Sequence, residues 1–124
     1  MELNPEKDLS IDVDNLSSEF REFPLVMYRY SQQRAMMELK RDIAKASLKE
    51  AKAHAYIRIK NNISVKHTQS SLEAEIEVDP VVVEANRKLI RAEHDATTWA
   101  GAVDSMRAKK DCLIQLGSDR RKEM

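Results

Sequence analysis

Glycine, proline, cysteine and aromatic side chains are all scarce in this chain, and each scarcity closes off a class of protein. Two glycines in 124 residues leave no Gly-rich loop to cradle a phosphate. With aromatics at 5% and charged residues at 34%, the composition fits long helices better than a sheet. The single cysteine, Cys112, can form neither an internal disulfide nor a thiolate metal site, and it points to a reducing cytoplasm. Its simplest role is a small, buried or half-buried residue. No apolar run approaches the ~18 residues that a membrane span needs. The opening Met1-Glu2-Leu3-Asn4-Pro5-Glu6 lacks the basic and apolar regions of a signal peptide.

Catalytic constellations are missing as well. His54, His67 and His94 show no metal-ligand spacing. His94 and Asp95 are sequence neighbours, which sends them to different sides of a helix. The expectation is a protein that is not an enzyme and that carries no cofactor and no metal.

Charge is abundant and uneven. Net charge is zero, yet residues 1–23 carry seven acidic and two basic side chains, and residues 24–60 carry nine basic and three acidic ones. A neutral chain is a poor nucleic-acid binder by default. One basic helix beside an acidic arm can still bind anions on one face.

The apolar pattern predicts one all-α domain over residues 1–124. Residues 1–11 read as a flexible, loosely docked acidic arm. Asp12 or Asp14 N-caps a short helix over 12–21, with Leu16 and Phe20 on one face. Pro24 suits the first turn of a long helix over 24–60. Its 3-4 seam runs Met36, Leu39, Ile43, Ala46, Glu50, Ala53, Ile57, a coiled-coil period with one polar slip. Asn61 to His67 reads as a loop. Alternation around Asn61-Asn62 leaves a small hairpin over 56–67 open as a second reading. Thr68 N-caps a short helix over 68–78. Asp79-Pro80 is the clearest boundary, with Asp at the N-cap and Pro at the first helical position. The second long helix, 80–116, carries the cleaner seam: Val82, Ala85, Leu89, Ala92, Ala96, Trp99, Val103, Met106, Leu113, broken only by Lys110. Trp99 is therefore read as core. Gly117 ends or frays this helix before a basic tail, 117–124. Arg120, Arg121 and Lys122 in that tail suit either a phosphate or the helix macrodipole.

Two antiparallel helices of this kind make a thin core. The first also bears a second apolar stripe, Met37, Ala44, Leu48, Ala51, Ala55, Ile59. A helix with two seams wants two neighbours. The expectation is a homo-oligomer larger than a dimer, with Met37, Ala44, Leu48, Ala51 and Ala55 at the interface.

One more stripe carries functional content. Arg34, Arg41, Lys45, Lys49 and Lys52 lie along one helix face, with Tyr56, Arg58 and Lys60 following. Cations on a line can track phosphates, and Tyr56 can stack on a base. The same spacing also describes the solvated face of an amphipathic helix, with Tyr56 packed in the hinge.

The order of residues resembles a known family. Ile11-Asp12-Val13-Asp14-Asn15-Leu16, then Pro24 and Tyr28, then a basic helix ending Tyr56-Ile57-Arg58-Ile59-Lys60, is similar to the UvsY-type recombination mediators of bacteriophages. The second half is similar too, with a short acidic helix, an Asp79 start, a central Trp99 and a basic C-terminal segment. The resemblance covers about residues 9–124 as scattered positions. It implies a mediator that binds single-stranded DNA, forms a ring-like oligomer and helps load a RecA-like recombinase onto strands coated by single-strand-binding protein. It maps the DNA-contacting segment onto Lys49, Lys52, Arg58 and Lys60. The chain departs from the family at Lys52-Ala53-His54, where a Lys-x-Arg is expected, and at Ile57, where a second Tyr is expected. The rival expectation is a helical adaptor or inhibitor of phage origin that docks on a protein and never touches DNA.

Overall fold

A computed structural model describes residues 2–62 and 68–123. In chain order these form α1 (Pro5–Leu9), a 3-10 turn (Val13–Asn15), α2 (Leu16–Lys60), α3 (Gln69–Val78) and α4 (Pro80–Glu123). The described residues contain no strand, and two long helices dominate, as the apolar periodicity requires. Tyr56 to Lys60 are helical. The rest of the hairpin alternative falls on residues 63–67, outside the described residues.

Several bounds differ from the sequence expectation. The helix over 12–21 and the helix from Pro24 are one element. α2 starts at Leu16 and passes straight through Pro24. An internal proline removes the bond to the carbonyl four residues earlier, here Phe20, and costs about 3 kcal/mol. Pro24 itself is exposed, so that carbonyl is not sealed in an apolar interior. Packing on either side of Pro24, by Phe23, Val26 and Met27, offsets the cost. Likewise α4 runs through Gly117 to Glu123. A Cβ at Gly117 would sit 3.2 Å from the Phe20 ring, so this glycine marks a close approach rather than a helix end.

Local signals hold where they are strongest. Thr68 caps α3, its side chain accepting from the Ser71 amide at 3.1 Å while Ser71 Oγ accepts from the Thr68 amide at 3.0 Å. Asp79 Oδ2 accepts from the Val81 and Val82 amides at 3.2 and 3.3 Å, which satisfies two orphan donors at the start of α4.

Packing gathers into two compact units, 1–36 with 96–124, and 37–95. The first unit has a closed centre. Tyr30, Val103 and Met106 are fully buried, and Leu3, Leu9, Phe23, Trp99 and others pack on them. Trp99, half-buried, lies 6.0 Å from Tyr30 between ring centroids, tilted by 49°. Arg120 donates to the Val13 carbonyl at 2.8 Å, and Lys109 pairs with Glu19 at 2.9 Å. Rising numbers on α2 therefore meet falling numbers on α4, an antiparallel pair. The arm over 1–11 is not a trailing segment. Residues 5–9 are helical, Leu3 and Leu9 join the core, and Tyr30 Oη donates to Asp8 Oδ2 at 2.7 Å. Lys109 Nζ donates to the Asp8 carbonyl at 2.5 Å. Cys112, expected at least half-buried, is exposed.

The second unit reverses the two stripes of α2. Met37 and Ala55 are buried, and Ala44, Leu48, Ala51 and Ile59 are half-buried. Of the residues expected at an oligomer interface, Met37 and Ala55 are thus covered within the chain, and Ala44, Leu48 and Ala51 are covered in part. Leu39, Ile43 and Ile57, expected in the intrachain seam, are 59%, 57% and 55% exposed. The physical reason is that periodicity marks both stripes as apolar without saying which one turns toward the rest of the chain. The α4 seam itself faces inward as expected, with Val82 buried here and Ala96, Val103, Met106 and Leu113 buried in the other unit.

Candidate nucleic-acid interface

The basic stripe lies on α2 within the second unit. Lys45 and Lys49 are exposed, and among the described residues neither has an ion-pair partner. Lys60 Nζ donates to Tyr56 Oη at 2.8 Å and sits 5.1 Å from the ring centroid. Tyr56 is exposed. It offers neutral oxygen and a π-face, so the Lys60 charge stays uncompensated while the pair stiffens both side chains.

Other members of the stripe are already engaged. Lys52 Nζ reaches Glu77 on α3 at 3.1 Å. Arg41 pairs with Asp42 at 3.2 Å. Arg58 binds Asp79, the residue that caps α4. Arg58 does not belong to the stripe at all. Six residues after Lys52, it projects from the far side of the helix at ~100° per residue. That spacing is legible in the sequence and separates Arg58 from Lys52, Tyr56 and Lys60. The structure therefore brings Lys45, Lys49, Lys52, Tyr56 and Lys60 onto one face and takes Arg58 out of it.

A feature that the sequence reading passed over lies between α2 and α4 in the same unit. An open groove of about 590 Å³ has Ile43, Ala44, Ala51, Val81 and Ala85 along it. Lys40 and Lys88 stand at its rim. The sequence signal for it was present in the Pro80-Val81-Val82-Val83 run, which is more apolar than one buried stripe requires.

Burial, then the hydrogen bond to Asp8 and the charge of that carboxylate, push the Tyr30 hydroxyl far above the usual phenol range. Among the described residues no three His, Cys, Asp or Glu side chains come together as a metal site, and no helix is long and apolar enough to cross a membrane.

Fold and surface together define an all-α protein of two long paired helices, with a cationic face and an exposed apolar seam on the same long helix. No family model, curated protein or solved structure matches this chain.

Proposed function

We propose that this protein is a recombination mediator of the UvsY type, one that binds single-stranded DNA along the cationic face of α2 and assists loading of a RecA-like recombinase onto strands held by single-strand-binding protein. The observation that carries the reading is the line of exposed cations Lys45, Lys49 and Lys60 beside the Tyr56 ring. Ammonium groups about one and three turns apart along the helix follow a flexible phosphate chain without reading bases. Lys52 joins when a phosphate displaces Glu77, an exposed and therefore weak ion pair. Each subunit supplies few contacts, so useful affinity comes from several subunits acting on one strand.

A second reading rests on a different observation. The exposed seam Leu39, Ile43, Ile57 suits a protein partner, which is the surface that an adaptor or inhibitor needs. Fluorescence anisotropy with a labelled oligonucleotide at low salt separates the two. The mediator reading expects binding with little preference among sequences. Absence of binding leaves the adaptor reading in its place.

A further inference from the structure

We infer that the exposed seam of α2 is the interface with a second copy of this chain, paired antiparallel across a two-fold axis. The inference deepens the assembly that the proposed function assumes and is independent of DNA contact.

The seam Met36, Leu39, Ile43, Ala46, Glu50, Ala53, Ile57 alternates three and four residues without a break, the period at which two helices keep facing each other. Among the described residues this seam is largely uncovered. Leu39, Ile43 and Ile57 are each more than half exposed, and Ala46 and Ala53 are exposed as well. The inward work of α2 is done by the other stripe. A coiled-coil period on the outward face of a long helix is a surface shaped for another helix.

The order of residues along the seam identifies that helix as a second copy. Reversed upon itself, the seam sets Leu39 against Ile57, Ile43 against Ala53 and Ala46 against Glu50. Large meets large at Leu39 and Ile57, large meets small nearer the axis, and Met36 at the end of the seam falls opposite Lys60. The one charged seam position then meets the smallest side chain. A parallel pair would instead set Glu50 against Glu50, two carboxylates in one desolvated layer, which is costly. Charge makes the same choice. Glu50 has only a 4.0 Å approach from the exposed His54, and Lys49, which flanks the seam, has no ion-pair partner among the described residues. In the reversed pair, Glu50 of one copy lies within reach of the Lys49 ammonium of the other. The contact is isologous and closes on itself.

Sedimentation velocity and cysteine cross-linking test this directly. Wild type sediments as a multiple of twice 14.3 kDa, and Ile43→Asp drops it to the single-chain mass with helicity retained by circular dichroism. In a Cys112→Ser background, Leu39→Cys and Ile57→Cys each stay uncross-linked alone, and the double variant oxidises to an interchain dimer. Lys49→Glu and Glu50→Lys each weaken association by at least tenfold, and the two together restore it. Wild type at the single-chain mass overturns the inference. So does cross-linking by either single variant, the sign of a parallel pair. A wild type that dimerises yet binds no oligonucleotide keeps this inference and removes the mediator reading.

Discussion

The two units use the same pair of helices in opposite ways. Residues 1–36 with 96–124 turn Phe23, Tyr30 and Trp99 and the Lys109–Glu19 pair inward, around Val103 and Met106. Residues 37–95 bury a thin alanine-rich stripe and leave outside a groove, an apolar seam and a row of lysines. The difference teaches where stability and function part. One unit supplies the core, and the other presents surface that is wasted unless something binds it.

Cavity formation should break the contrast most sharply. Met106 is fully buried, and Met106→Ala should cost about 2–5 kcal/mol through the apolar burial removed and the void left behind. Ile90, 59% exposed in the other unit, should cost no more than about 0.5 kcal/mol on the same change. Urea denaturation followed by far-ultraviolet circular dichroism measures both. Equal losses would mean that the closed core and the open unit do not differ as described.

A smaller loss is expected from the charged strap. Lys109 is nearly covered and holds both Glu19 and the Asp8 carbonyl. Lys109→Met keeps the aliphatic stem and strands a half-buried carboxylate, at a cost of about 1–3 kcal/mol. The same urea denaturation measures it, and a loss no larger than that of Ile90→Ala would contradict the strap.

Smaller still is the tyrosine hydroxyl. Tyr30→Phe removes the shorter of two hydrogen bonds to Asp8 Oδ2, leaving the Asn4 amide at 3.3 Å, and should cost about 1 kcal/mol. Because the folded-state pKa of Tyr30 lies above its unfolded value, its contribution is complete below about pH 10 and is lost as pH rises through the folded value. Wild type should therefore lose stability in alkali that the Phe variant does not lose. Parallel curves above about pH 10 would contradict the buried hydrogen bond.

Much of this fold is legible in the sequence because its signals are local. Thr68 and Asp79-Pro80 announce helix starts through caps that involve neighbours only. The α4 seam reads correctly because that helix has one dominant stripe. Pro24 misleads because its conformation suits both a helix start and a helix interior, and only tertiary packing around Phe23, Val26 and Met27 decides. The two stripes of α2 exchange roles for a related reason. Periodicity marks an apolar face but not its direction, and the bulkier seam looks like the better core. Tertiary packing decides, and Ala55 goes in while Ile57 stays out. The row of cations on α2 was legible. Its pairings were not, since Glu77 and Asp79 reach Lys52 and Arg58 across more than twenty residues of chain.

The central claim is that the lysine row of α2 is a phosphate-tracking surface. The most direct measurement is the salt dependence of single-stranded DNA affinity for wild type and for a Lys45→Glu, Lys60→Glu double variant. Both side chains are exposed, neither is ion-paired within the chain among the described residues, and neither lies in the apolar seam. Sparing Lys52 keeps its link to Glu77 intact. The account predicts a linear fall of log affinity with log salt for wild type. The variant should bind more weakly, with a slope shallower by about 0.7 for each phosphate it no longer neutralises, and its helicity and mass should be unchanged. An identical affinity and slope for the two proteins would contradict the account and return the row to an ordinary solvated face.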